Sequence, residues 1–322
     1  MKTTIVIPNY NGMRFLEGCL GALSKDTSAP FDVILVDNGS TDGSPEWLRS
    51  KYPRYTLLSL PANEGFSKAV NEGIRAAKSE YVILLNNDTE VVWGFVKALE
   101  DALERHENAF SVSARMADLY HPRLFDGAGD LYCALGWAFA LGKGRVVEEC
   151  YRREAEIFAA CAGAAIYRRD LLLQLGMFDE AHFAYLEDCD IGYRAQLHGY
   201  RNYYTPEALV YHAGSGASGS RYNAFKISLS SRNSVYLIFK NMPYWQILLN
   251  LPLLLAGFLV KILFFFKKGY GKTYLKGLYR GLQLSLSREG RLHRQDFSGR
   301  SLRCLLRIQW KLWENTVRRF TG

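Results

Sequence analysis

Residues 81–90 read YVILLNNDTE, from Tyr81 to Glu90. Five apolar positions run without a polar break and stop at two amides and an acid. A half-exposed strand alternates polar and apolar residues, so an unbroken run of this length predicts a strand covered on both faces. The pattern recurs. FDVILVDNGSTDGS (31–44) is an apolar strand that ends at Asp37 and enters a turn-rich stretch, while TTIVIP (3–8) and YTLLSL (55–60) are shorter runs of the same kind. Helical spacing fills the intervals: FLEGCLGAL at 15–23, then Phe66, Ala69, Val70, Gly73, Ile74 and Ala77, then Phe95, Ala98, Leu99, Ala102 and Leu103. Strand–helix alternation with buried strands predicts an α/β fold, a mostly parallel Rossmann-like sheet with helices on both faces. Ligands of such sheets sit beyond the carboxyl ends of the strands. Asp37 and Asp88 both fall at such ends.

The second half is less periodic. Residues 117–149 are glycine-rich and read either as a loop or as a small antiparallel excursion. IFAACAGAAIYRR (157–169) is strand-like with small residues in its middle, which allow close approach of a ligand or backbone. Leu171–Leu175 is a short helix, and YRNYYTP (200–206) and ALVYH (208–212) are short strands. FAYLEDCDIGYR (183–194) places Glu187 and Asp188 where an aromatic loop turns into a helix over 188–198, closed by Gly199. A carboxylate there can take a proton or serve as a helix N-cap. Asp190 and Arg194 read as supports.

The chain has 322 residues, 48% of them apolar, enough for a full core and against global disorder. Cysteines 19, 133, 150, 161, 189 and 304 form no CxxC pair and no zinc spacing, so free thiols in a reducing cytosol are the simplest reading. No signal peptide is visible behind Met1. The net charge of +8 is uneven: from Lys267 onward fourteen Lys or Arg face three acids, a local +11, which leaves residues 1–266 at −3. Such a basic end suits an anionic membrane surface or a solvated charged face; a nucleic-acid partner is not expected.

IPNYNG, VDNGSTDGS, NEGFSKAVNEGI, NNDTE, LEDCDIGYR and YHAGS, in this order over roughly residues 3–240, resemble the family 2 glycosyltransferases, which have the GT-A fold. The likeness is to rhamnosyltransferase-type members that build bacterial surface polysaccharides on a lipid carrier. The resemblance implies an inverting hexosyltransferase of the cell envelope. It would move a sugar from a nucleotide-sugar donor, dTDP-rhamnose being favoured and a UDP-sugar the alternative, to a polyprenyl-diphosphate-linked glycan. Pro8, Tyr10, Asp37, Asn63, Asn86, Asp88 and Arg232 would contact the donor. Asp37 can accept from a pyrimidine N3–H and Tyr10 can cover the ring, although an Asp at this place also makes turns. Mn2+ or Mg2+ would neutralise the diphosphate, held by Asp88 and His212. The family's motif often has two acids flanking one residue; here it reads Asn86-Asn87-Asp88, one acid short. Asp188 would be the base and Glu187 would orient it or raise its pKa. Arg232 would grip the diphosphate with its guanidinium.

GSGASG (214–219) matches G-x-G-x-x-G but lies late in the chain, and after Glu207 the next acid is Glu289, so it is not a dinucleotide fingerprint. It reads as a mobile active-site loop. Residues 1–240 would form the transferase domain and 241–322 an apolar, then basic, helical membrane-associating region. Tyr244–Phe266 approaches the ~20 apolar residues of a transmembrane helix. Pro252 makes one straight span doubtful, and a span would place the basic end outside, against the positive-inside tendency. A peripheral or monotopic seat on the cytoplasmic face of the inner membrane is therefore expected, with a buried core helix as the rival reading. Two other functions compete. A nucleotidyltransferase would carry a glycine-rich basic loop after the first strand, where PNYNGMRF has one glycine. A non-catalytic glycan- or lipid-binding scaffold would not need Asp88 and Asp188.

Overall fold

A computed structural model describes residues 1–147, 150–214 and 222–321. The first half alternates as β1 (Thr3–Asn9), α1 (Met13–Leu23), β2 (Phe31–Asp37), α2 (Ser44–Lys51), β3 (Thr56–Ser59), α3 (Phe66–Ala76), β4 (Tyr81–Leu85), β5 (Thr89–Val91) and α4 (Phe95–Arg105). Then come β6 (Ala109–Asp118), β7 (Phe125–Gly127), β8 (Asp130–Tyr132), β9 (Ala138–Ala140), β10 (Ala155–Ile157), β11 (Ala164–Arg168), α5 (Arg169–Gln174), α6 (Glu187–Leu197) and β12 (Arg201–His212). Five helices close the chain: α7 (Ala224–Asn241), α8 (Tyr244–Lys267), α9 (Gly271–Leu286), α10 (Arg288–His293) and α11 (Leu302–Thr321).

The main sheet runs β10-β12-β6-β11-β4-β1-β2-β3, with β5 on β12 and β7 on β6. Along that path all strands but β10 and β11 point the same way. The unbroken apolar runs are explained by what covers each face. Val6, Val36, Val82 and Leu84 pack with Ala69, Val70 and Ile74 of α3. Ile5, Ile7, Leu35, Ile83 and Leu85 pack with Leu16 and Leu20 of α1 and with Phe95 and Leu99 of α4. Alternate residues along the middle of these strands thus enter different cores, which keeps the runs apolar.

The structure departs from the sequence reading in several places. Strand β6 was not expected; its Ser111 and Ser113 are fully buried, and Ser111 Oγ donates to Asn202 Oδ1 at 2.8 Å. The two short strands at 200–212 are one strand whose register shifts between Tyr204 and Leu209, around Pro206, which cannot donate to a ladder. IFAACAGAAIYRR divides into the end of β10, a turn and β11. Residues 117–149 contain the antiparallel excursion, the β8–β9 hairpin. Helix α6 starts at Glu187 with Leu186 as its cap, so Asp188 lies in the first turn and is not the N-cap. Helix α8 continues through Pro252, which lies on its exposed side. Of GSGASG only Gly214 falls within the described residues, so the loop reading lies outside them.

Candidate active site

Residues expected to contact the donor gather at the ends of β1 and β2. Asn9 and Asp37 stand opposite each other in the parallel register. Asn9 Nδ2 donates to Asp37 Oδ1 at 3.3 Å and to Ser44 Oγ at 2.9 Å. Asp37 Oδ2 accepts from the Ser40 amide at 3.3 Å, so the turn-making role is realised. Each carboxylate oxygen still has a lone pair for a ligand. Pro8 is half-buried and Tyr10 exposed at the strand's end. Asn63 Oδ1 accepts from Asn38 Nδ2 at 3.1 Å and from the Gly65 amide at 3.0 Å, closing the loop before α3. Gly65 has φ 92°, and a Cβ there would lie 2.6 Å from the Phe183 carbonyl oxygen. Only glycine permits that approach, which brings the donor loop against the segment leading into Glu187 and Asp188.

Beyond β4, Asn87 Nδ2 donates to Asn9 Oδ1 at 2.7 Å, joining this region to the donor side. Asp88 and His212 come together across the antiparallel β5–β12 pair: His212 Nε2 is 3.2 Å from Asp88 Oδ1. The other ring nitrogen, Nδ1, lies 2.7 Å from Asp126 Oδ2, and Lys143 Nζ donates to Asp126 Oδ1 at 2.5 Å. Burial opposes charge on this imidazole, but the two flanking carboxylates win and push its pKa up to about 9. Burial likewise opposes ionisation of Asp126, and His212 and Lys143 together hold it down to about 2. Asp126 was not foreseen; nothing in FDGAGD marks it until β7 pairs with β6 beside β12.

Asp88 and His212 fit a divalent cation. A separation of 3.2 Å is close to that of two adjacent ligands on an ion bound at about 2.1 Å. Asp126 is where a carboxylate would orient a metal-bound imidazole. Asn86 is half-buried beside the pair; its backbone amide donates to the Gly163 carbonyl at 2.9 Å.

That same turn holds the second acid. Asp188 Oδ1 accepts from the Ala162 amide at 3.2 Å. Asp130, Cys161 and Asp188 offer side-chain atoms that all lie within 4.8 Å of one another. Glu187 is buried, and its Oε2 has no hydrogen-bond partner among the described residues. Burial, then Glu187, then Asp130 raise the pKa of Asp188 well above the carboxylate range. Burial pushes Glu187 up to about 7 and Asp130 to about 6. Asp130 is the second residue the sequence reading missed. Burial and crowding thus hold all three carboxyls above the ordinary carboxylate range.

The approach to α6 is strained. Phe183, Tyr185 and Leu186 have φ of 63°, 70° and 70°, and each such residue costs about 1–3 kcal/mol. Helix α7 holds the strain in place. Asn233 Nδ2 donates to the carbonyls of His182, Ala184 and Tyr185 at 2.9, 2.9 and 2.7 Å. Arg232, expected at the diphosphate, turns its Nη2 to the carbonyls of Ala181 and His182, both at 2.7 Å, and its Nε to Asn233 Oδ1. Those carbonyls present a fixed, water-poor acceptor pair that the guanidinium fork matches. Asp190 sits behind the acids at zero exposure, bound by Arg194 Nη2 at 2.7 Å, Lys240 Nζ at 2.9 Å and Asn241 Nδ2 at 2.7 Å. A cleft of about 480 Å3 opens near Asp179, Lys240 and His293, and none of the candidate site residues lines it.

A sheet of this order, with acids gathered beyond its strand ends, defines a GT-A transferase scaffold. The chain belongs to glycosyl transferase family 2, whose sequence profile matches residues 4–176, and it is a glycosyltransferase. It is 29% identical over 269 residues to the N-acetylglucosaminyl-diphospho-decaprenol L-rhamnosyltransferase of Mycobacterium tuberculosis, a match spanning 75% of this chain and 86% of that protein. In fold it is similar to S. aureus TarS 1–349 in complex with UDP-GlcNAc (TM-score 0.58, 16% identity, 91% of this chain and 84% of that one). It is also similar to the mannosyltransferase PcManGT of Pyrobaculum calidifontis in complex with GDP-Man and Mn2+ (TM-score 0.51, 19% identity, 97% and 84%).

Proposed function

We propose that this chain transfers a sugar, with inversion, from a nucleotide-sugar donor to a glycan carried on polyprenyl diphosphate at the cytoplasmic face of a bacterial membrane. The favoured donor is dTDP-rhamnose. The observation that carries the transfer reading is the convergence on one turn, residues 160–163, of the Asp88 strand end and the Asp188 carboxylate. The donor and acceptor classes are supported by the relative named for a decaprenol-linked rhamnosyl transfer.

In this reading Pro8, Tyr10, Asp37 and Asn63 hold the nucleoside, and Asn86 lies beside the diphosphate. Asp88 and His212 would hold Mn2+ or Mg2+, which would supply positive charge near the leaving diphosphate. His212 must lose its proton to bind a metal, so binding tightens as pH rises through its pKa. Asp188 takes the proton from the acceptor hydroxyl, Glu187 raises its basicity, and Arg232 and Asn233 fix the loop that aims them.

A thermal-shift panel of nucleotide sugars with and without manganese tests the donor. A ligand at a hundred times its dissociation constant stabilises by about 2.7 kcal/mol. The dTDP-rhamnose sample should melt highest, and a panel in which no nucleotide sugar raises the melting temperature overturns the reading. Asp88→Ala should weaken nucleoside-diphosphate binding chiefly when manganese is present. Calorimetric titration with and without the metal measures this; an undiminished metal-dependent gain in the variant removes Asp88 from the ligand set.

A further inference from the structure

Helix α8 is long and apolar enough to cross a membrane, yet one of its faces is fastened to the catalytic body. Gln246 Oε1 accepts from the buried Tyr193 hydroxyl at 2.6 Å. Asn250 exchanges two hydrogen bonds with Gln309 of α11 and accepts from Trp313 Nε1 at 3.0 Å. The Gly257 carbonyl accepts from Trp137 Nε1 at 3.1 Å, and a Cβ on Gly257 would lie 2.2 Å from the Leu135 carbonyl oxygen. Gln246, Asn250, Leu254 and Gly257 make up this buried stripe. Beyond it only Phe258–Lys267 remains, about 15 Å of helix, half of the ~30 Å hydrocarbon layer.

Among the described residues most of the other positions of α8 are exposed, and both neighbouring helices add an exposed apolar stripe. Helix α9 lies tightly on α7 through Gly277 and Gly281, where a Cβ would meet Ser231 and the Arg232 carbonyl. Its opposite side presents Leu275, Tyr279, Leu282 and Leu286 at helical spacing, all exposed. Helix α11 buries Leu305, Ile308 and Leu312 and exposes Leu302, Leu306, Trp310, Trp313, Val317 and Phe320. Helix α8 touches both, through Phe265 against Tyr274 and through Asn250 against Gln309. Three helices that meet through their covered faces thus each carry an exposed apolar stripe among the described residues, which a water-facing surface does not favour. The basic residues that give this end its +11 lie along the same helices: Lys267 and Lys268 at the close of α8, then Lys272, Lys276 and Arg280 flanking the α9 stripe. Apolar stripes with a basic fringe and boundary Trp and Tyr match an anionic bilayer surface in both chemistry and sign.

We propose that α8, α9 and α11 form one monotopic platform that seats the enzyme in a single leaflet of an anionic phospholipid bilayer, with α8 lying along the body and not crossing. This deepens the lipid-linked acceptor reading and rests on it for its purpose, but not for its test.

The test is flotation of the full chain with phosphatidylcholine vesicles, with and without phosphatidylglycerol. The protein should float with the anionic vesicles and be released by salt. Leu275→Glu with Leu282→Glu, and separately Trp310→Glu with Val317→Glu, should each lower vesicle binding at least about tenfold. The melting temperature and transfer to a short-chain, water-soluble acceptor should be unchanged. Failure of the wild type to float, or flotation of both variants like the wild type, overturns the platform. So does a wild-type dimer in light scattering that these substitutions dissolve, because a second copy would then cover the surface. A reporter fused to the C-terminus should be active only in the cytosol; activity on the far side refutes the non-crossing arrangement. Absence of transfer to the soluble acceptor by the wild type would count against the function and leave the platform standing.

Discussion

Asp188→Asn should lower the transfer rate by about 10²–10⁴-fold, the range expected for loss of a general base, while nucleoside-diphosphate binding persists. The same substitution should leave the fold intact or raise its melting temperature. Asp188 is crowded by Glu187 and Asp130, and its own burial already opposes its charge. Removing one carboxylate from this set relieves repulsion that the folded state carries at neutral pH. The pH dependence follows with a definite sign. The base acts only when unprotonated, so kcat/KM should fall as pH drops through the raised pKa of Asp188, which burial, Glu187 and Asp130 hold well above the ordinary carboxylate range. The three groups titrate together, so the midpoint belongs to the set. Paired measurements of turnover and melting decide the matter: a folded variant with near-normal turnover refutes the assignment, and a variant that loses both properties together points to a structural role.

Asp190→Asn should destabilise the protein by about 3–5 kcal/mol, the usual cost of leaving a buried ion uncompensated, and lower the melting temperature by roughly 5–15 °C. Asp190 is fully buried between Arg194 and Lys240, and Lys240 also reaches Asp179 at 2.6 Å. The neutral variant removes one of the two acids that Lys240 bridges and leaves buried positive charge in excess. Burial raises the pKa of Asp190, but Arg194 and Lys240 outweigh it and hold the carboxyl below its ordinary range. For a group depressed in the folded state, the stabilisation is complete above the unfolded value of about 3.9 and is lost as pH falls through the folded value. The stability gap between wild type and variant should therefore be full at pH 7 and shrink only below about pH 4. Urea melts at several pH values measure it; a gap already gone at pH 5 would mean that the ion network is not its source.

The parallel half of the sheet was legible because its strands are buried on both faces, so Ile83 and Leu84 feed opposite cores without a polar break. The positions of Asp37 at the end of β2 and Asp88 beyond β4 were legible for a related reason: acids at the end of an apolar run stand out. Strand β6 was invisible because Ser111 and Ser113 look like surface residues until Asn202 arrives from β12 to bond Ser111. Asp126 and Asp130 were missed because each is one acid in a glycine-rich stretch, and their meaning comes from His212 and Asp188, 86 and 58 positions away respectively.

The layered α/β architecture, the order of the acid-bearing motifs and the unequal charge along the chain are written in the sequence. Each of these is local, set by periodicity and by neighbours along the chain. The carbonyls that Arg232 meets, the carboxylates that crowd Asp188 and the fastening of α8 along the body emerge only once the chain is folded. Those outcomes depend on which side chains meet across the sheet and between helices. A guanidinium serves a phosphate or a row of carbonyls equally well, and an apolar helix suits a core or a bilayer equally well. The partner that packing brings within reach settles which.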